Sequence, residues 1–377
     1  MDALEKFHDV VISHHKYALE WKEKTGGKVI GCLSNYCPEE IMYAAGVLPV
    51  RVVGSREPTD ITQTHVSNRT CVYARDILAQ GLLGRYDYLD GIVLTHGCQM
   101  IQLMYHSWRL HVPTPYKYLV YFPTLIRSRG AKSLVTANLK AFADSLGEWL
   151  GKSITVKQLD NAIKVYNTNR GLLRQLYEMR KDSPSISGAE TLEVTLAGMF
   201  MDKKEHSALL RQLLKELPKR KRRSGVDKRL MIAGSEFDDG ELVKIIESLG
   251  AVVVTDDIAT GSRSIWTDVI PQEDRFEAIA TRLITRPPDA SKDVPDRLRV
   301  PHILKLVKDF RVDGVIILQN KFCDTYQWDN PALMSALTEG GIPNLRLETD
   351  IVNPPGPFRT RVEAFIETLE PGLYKGG

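Results

Sequence analysis

LDGIVLTHGC (residues 89–98) and VDGVIILQNKFC (residues 312–323) follow one pattern: an acidic-glycine start, a short apolar run, and a cysteine a few residues beyond it. An unbroken apolar run of this length is the mark of a strand buried on both faces of a parallel sheet. Around the first run the writing is βαβ. KVIGCL (28–33) reads as a strand, PEEIMYAAG (38–46) as a helix with Pro38 near its first turn and Gly46 at its end, and LPVRVVG (48–54) as the next strand. Thr70 is the expected cap of a helix over CVYARDILAQGLLG (71–84), and YKYLVYFP (116–123) is a further strand. Around the second run, RLMIAG, AVVVTDD and NLRLETD read as strands, and DDGELVKIIESLG, RVPHILKLVKDF, PALMSALTEGG and RTRVEAFIETLE as helices.

Between these α/β stretches the period changes. Leu139, Phe142, Leu146 and Trp149 share a helical face, Thr155 and Gln158 form a capping box, and Leu209, Leu210, Leu213, Leu214 and Leu217 mark another helix. The expected division is a first α/β domain with an outer N-terminal helix (residues 1–135), a helical region ending in the basic linker PKRKRRSG at 218–225 (residues 136–227), and a second α/β domain (residues 228–377).

Composition narrows the function. In 377 residues, 50 basic against 47 acidic side chains leave +3, too balanced for a nucleic-acid or general membrane-surface binder. No apolar stretch approaches bilayer length, and MDALEKFHDVVISHHK lacks the basic start and apolar core of a signal peptide, so the expected address is the cytoplasm. Five cysteines (Cys32, Cys37, Cys71, Cys98, Cys323) in so long a chain are no disulfide framework. Each is a packing residue, a nucleophile or a metal ligand. Cys32, Cys98 and Cys323 follow strands, and Cys37 and Cys71 precede helices, which is where open parallel sheets bind ligands. A helix N-terminus there favours the thiolate that ligates metal. Spacings of the zinc-ribbon or ferredoxin type are absent; ligands gathered from separate strand ends can instead hold an iron-sulfur cubane, and if only three cysteines converged, one iron would stay open to a small ligand or substrate.

Other chemistry finds less support. GGKVIG is no phosphate-cradling loop, AGSEFDDGE (233–241) has turn character, and neither H-E-x-x-H nor G-x-S-x-G occurs. His96, Asn35 and Tyr36 are candidate proton donors by strand-end position, while a non-enzymatic α/β binding module with packing cysteines stays open.

Taken together, CPEEIMYAAGVLPVRVVG, NRTCVYARD, THGCQ, NTNR, ISGAE, GAVVVTDDIATGSR, DGVIILQNKFCD, GIPNLRLETD and RTRVEAFIE resemble the 2-hydroxyacyl-CoA dehydratase and benzoyl-CoA reductase subunit family, in order from about Lys28 to about Glu367. The resemblance implies two flavodoxin-like parallel-sheet domains with a helical middle region, and a 4Fe-4S cluster on Cys71, Cys98 and Cys323. It also implies a homologous larger cluster-bearing subunit and a separate ATP-hydrolysing iron-sulfur activator that feeds electrons toward an acyl-CoA. Cys32 and Cys37 fall outside the family's ligand motifs, which leaves extra sulfur ligation, as in a homodimeric double-cubane reductase, as an alternative. THGCQMIQLMYHSW (95–108) looks most like the smaller subunit of ATP-dependent benzoyl-CoA reductase; an (R)-2-hydroxyacyl-CoA dehydratase subunit is the other reading.

Overall fold

A computed structural model describes residues 2–57, 60–182, 184–220, 228–292 and 295–369, so residues 221–225 of the basic run lie outside the described residues. The chain begins with α1 (Ala3–Ile12) and α2 (His14–Thr25), where the sequence reads a single helix. The break falls at Ser13, whose hydroxyl bonds the Asp9 carbonyl and competes with the helical ladder. It lets α1 bury Ala3 and Phe7 while α2 turns Ala18 toward the first sheet.

That sheet is built from β1 (Lys28–Cys32), α3 (Glu39–Ala44), β2 (Val47–Arg51), α4 (Val72–Leu82), β3 (Gly91–Thr95), α5 (Gln99–His111) and β4 (Tyr116–Val120), and its four parallel strands run β2-β1-β3-β4. A helical layer follows: α6 (Ala131–Leu150), α7 (Val156–Met179), α8 (Gly188–Phe200) and α9 (Lys203–Glu216). The second sheet comprises β5 (Lys228–Gly234), α10 (Gly240–Ser248), β6 (Ala251–Asp257), α11 (Arg275–Thr285), α12 (Arg299–Asp309), β7 (Gly314–Asn320), α13 (Asp324–Glu339), β8 (Asn344–Thr349) and α14 (Pro355–Thr368). Its parallel order, β6-β5-β7-β8, repeats that of the first sheet strand for strand, so both are α/β units of flavodoxin-like type.

The twice-written acidic-glycine start has one physical purpose in both units. The Asp90 carboxylate accepts the Val29 N–H at 2.9 Å, and the Asp313 carboxylate accepts the Arg229 N–H at 2.7 Å, so each aspartate locks the start of one switch strand to its neighbour. The glycine that follows admits a close neighbour. A Cβ on Gly91 would stand 3.1 Å from the Tyr116 side chain, and one on Gly314 2.8 Å from the Phe365 ring.

The NTNR segment ties the helical layer to both units. Asn167 clamps Val269, giving its amide N–H to the carbonyl at 2.8 Å and accepting the Val269 N–H at 2.9 Å, while Arg170 reaches Glu40 of α3 at 2.8 Å. Asn169 hydrogen-bonds Nδ1 of the fully buried His206, whose Nε2–H donates to the Val194 carbonyl at 2.9 Å. Burial holds His206 neutral, its pKa brought down to about 3. A depressed histidine pKa means that below about pH 6.5 the unfolded chain binds the extra proton, so this residue alone costs on the order of 1 kcal/mol of stability per pH unit as acid is added. Urea midpoints measured between pH 7 and pH 5 should fall, and His206→Gln should flatten that dependence.

α5, α8 and α11 are helices that the sequence reading leaves out, and α13 starts earlier than it expects. α11 buries Ala278, Ile279, Ala280 and Leu283 with Phe142 and Leu146 of α6. α13 starts at Asp324 and carries Pro331 inside, because Asp329, paired with Arg299 at 2.6 Å, and Asn330, bonded to Gln319 at 2.9 Å, hold the preceding turns helical. Among the described residues no helix is long and apolar enough to cross a membrane.

Candidate functional site

Ligands of doubly wound sheets bind where the strand order reverses, here past the carboxyl ends of β1 and β3 in one unit and of β5 and β7 in the other. These two ends meet across one cleft of about 600 Å³ of empty space. Cys71, Cys98 and Cys323 all line it. Each occupies the N-cap position of a helix: Cys71 before α4, Cys98 before α5 and Cys323 before α13. Thr70, the cap expected from the sequence, therefore does not cap α4; it stands one residue too early for the turn that starts at Val72.

None of the three sulfurs closes a capping hydrogen bond of full geometry, yet free helix N–H groups surround them. The Cys71 and Cys323 thiols lie side by side. The bond from Cys323, together with the Ala74 and Tyr73 N–H groups, lowers the Cys71 pKa against the cost of burial, and the same pairing raises that of Cys323. Burial pushes Cys98 up to about 11 despite the Ile101 and Met100 N–H groups nearby. Among the described residues no three His, Cys, Asp or Glu side chains converge tightly enough to hold a single metal ion. A cubane makes a different demand, since each of its ligands binds a separate iron and the sulfurs stand apart around it.

The remaining wall is largely apolar, with Leu33, Met100 and Ile101, and it carries polar groups that sequence reasoning passed over. Arg263, wholly buried, donates to Tyr326 Oη at 2.6 Å, to Asp289 Oδ2 at 3.1 Å and to Asp257 at 3.0 Å. It thereby sets two side chains of the cleft from behind. Glu236 pairs with Arg51 at 2.7 Å through one oxygen, its other oxygen is buried without a partner, and burial raises its pKa. The turn-like AGSEFDDGE segment was its only sequence signal.

Of the candidate proton donors, Asn35 and Tyr36 line the cleft, and Tyr36 Oη accepts the Asp289 N–H at 3.0 Å. His96 does not line it; its Nδ1 lies 3.1 Å from the Phe122 carbonyl and its ring stacks on Tyr121. Cys32 and Cys37 form a second, separate thiol pair that does not line the cleft. Burial works against charge on Cys37, but the bond from Cys32 and the Ser34 N–H bring it down to about 7, and its partner Cys32 is raised.

A family model described as 2-hydroxyglutaryl-CoA dehydratase, D-component, matches residues 34–369. The chain belongs to this family. The match takes in all three cleft cysteines, the whole second sheet and the first sheet from β2 onward, with β1 just ahead of it. Within the wider family, the chain is 30% identical over 365 residues to the (R)-phenyllactyl-CoA dehydratase beta subunit of Clostridium sporogenes, covering 96% of this chain and 97% of that one. It is 26% identical to the beta subunit of lactoyl-CoA dehydratase from Anaerotignum propionicum over 97% and 98% of the two chains. To a benzoyl-CoA reductase subunit of Thauera aromatica it is 26% identical over 94% of each. These family members are named as subunits, of acyl-CoA dehydratases in two cases and of an acyl-CoA reductase in the third.

Proposed function

We propose that this chain is the iron-sulfur subunit of an (R)-2-hydroxyacyl-CoA dehydratase, with a 4Fe-4S cluster held by Cys71, Cys98 and Cys323. One observation carries the reading: three thiols far apart in sequence line a single apolar cleft, each at the N-terminus of a helix. The donor set is all sulfur, which suits iron-sulfur ligation. Bound there, the cluster would supply a low-potential electron to a thioester-conjugated acyl group. The chain's own residues do the rest. Leu33, Met100 and Ile101 exclude water, Arg263 fixes Tyr326 and Asp289, and Glu236, whose pKa burial raises, presents an oxygen without a partner at the wall of the cleft. A homologous cluster-bearing subunit and an ATP-hydrolysing activator complete the enzyme, and the protein works in the cytoplasm.

The dehydratase reading ranks first because the phenyllactyl-CoA dehydratase subunit shares 30% identity with the chain and the benzoyl-CoA reductase subunit 26%. Reduction of benzoyl-CoA to a dienoyl-CoA is the second reading, favoured by the wording of residues 95–108. Anaerobic co-purification with the partner subunits, followed by ATP-dependent turnover, separates the two. Dehydration of an (R)-2-hydroxyacyl-CoA is the expected result. A dienoyl product from benzoyl-CoA, with the hydroxyacyl-CoA left intact, would overturn it.

A further inference from the structure

Next to the thiol cleft, and sharing Asn35 with it, lies a second cavity of about 600 Å³ with a different chemical character. Four cations line it, Arg170, Lys203, Arg282 and Arg286, against the carboxylates Glu39 and Glu40. Two of the four are neutralised, since Arg170 pairs with Glu40 at 2.8 Å and Lys203 with Glu39 at 3.2 Å. Among the described residues no carboxylate stands in ion-pair contact with Arg282 or Arg286. Arg282 gives Nε to the Thr267 carbonyl at 2.9 Å and Nη2 to the Ser264 carbonyl at 2.6 Å. Burial and the neighbouring Arg170 charge bring its pKa down to about 9.

Arg286 is the side chain left wanting. It is 3% exposed, its guanidinium lies 4.4 Å over the Tyr36 ring, and Nη1 donates to the Asn35 carbonyl at 2.7 Å. Nε and Nη2 are enclosed without any partner, and so is the Asn35 amide nitrogen. These two guanidinium nitrogens form one edge of the planar group, the fork that takes both oxygens of a carboxylate or phosphate at once. A buried charged donor without an acceptor is disfavoured, and here stacking and the Nη1 bond hold the fork in place against that penalty.

We propose that this cavity is an oxyanion-binding subsite in which the Arg286 fork grips a carboxylate or phosphate group, with the Asn35 amide as a further donor. The excess of two positive charges supplies attraction, and the fixed fork supplies geometry that a lysine lacks. Because Asn35 belongs to both cavities, the bound anion sits beside the thiol cleft.

Calorimetric titration of the full-length chain with glutarate and with inorganic phosphate, each against a chloride-matched reference, tests the subsite. A saturable site is expected for one probe, and which one binds tells a carboxylate ligand from a phosphate ligand. Arg286→Lys keeps the charge but loses the fork, and should weaken that probe by roughly tenfold or more. Asn35→Asp, which sets a negative charge beside the fork, should abolish binding, with circular dichroism confirming both folds. Equal affinity in the parent and both variants would overturn the proposal, as would the absence of saturable binding by either probe. Iron and turnover do not enter the readout, so it stands or falls separately from the cluster assignment.

Discussion

Cys98→Ala is expected to emerge from anaerobic purification with iron and acid-labile sulfide reduced to a small fraction of the parent's, while Cys37→Ala keeps nearly all of both. Cys98 is half-buried at the rim of the cleft, at the N-terminus of α5, so its thiol can be removed with little cost to packing. A cluster held by three protein thiols loses a third of its protein ligation with that single change, and loss of even a supporting residue at a metal site typically costs about 10–100-fold in affinity. Cys37 faces another way. Its sulfur donates to the Val93 carbonyl at 3.4 Å within the first sheet's core and lines the neighbouring polar cavity. Cys71→Ala and Cys323→Ala should match Cys98→Ala in iron loss. Iron and sulfide counts with visible absorption provide the check, and equal retention in Cys98→Ala and Cys37→Ala would remove the ligand assignment.

The second large effect comes from Asp257, which holds two buried guanidinium groups at once, Arg263 at 3.0 Å and Arg299 at 2.7 Å. Asp257 and Arg263 are both 0% exposed, so solvent offers no substitute partner. Burial opposes the charge on Asp257, but Arg263 and Arg299 outweigh it and hold the carboxyl well below the ordinary carboxylate range. Removing one partner of a buried ion pair leaves an uncompensated charge, a loss of about 3–5 kcal/mol. Asp257→Ala should show that loss in urea unfolding, Asp257→Asn a smaller one, and a loss under about 1 kcal/mol in both would show the network to be dispensable. The same change frees Arg263 from behind Tyr326 and Asp289, so iron retention in the cleft should drop as well. With acid the sign is fixed. A depressed carboxylate pKa contributes stability above the ordinary carboxylate range and loses it as pH falls through the folded value, adding to the His206 effect.

Much of the fold is legible because it is written locally. An unbroken apolar run such as GIVLT or GVIIL, an aspartate-glycine start, the capping box of Thr155 with Gln158, and Gly46 and Gly250 after their helices all act within a few residues of themselves. Where such signals conflict, structure and local pattern part. Pro331 resembles a helix start but lies inside α13, Ser13 resembles helix interior but breaks it, and α11 has its apolar face defined by α6.

The sequence by itself determined two α/β units with their cysteines placed at strand ends and helix starts, since periodicity and capping depend on near neighbours along the chain. The family resemblance groups Cys71, Cys98 and Cys323, but only the tertiary structure lines one cleft with them and pairs Cys32 with Cys37 elsewhere. The tertiary structure also decided that Glu236 lines that cleft while Arg263 and Arg286 stand behind or beside it. The reason is the switch point. It brings loops together according to strand order and the packing of two sheets, and charge pairing across those loops depends on distances through space that no local pattern encodes.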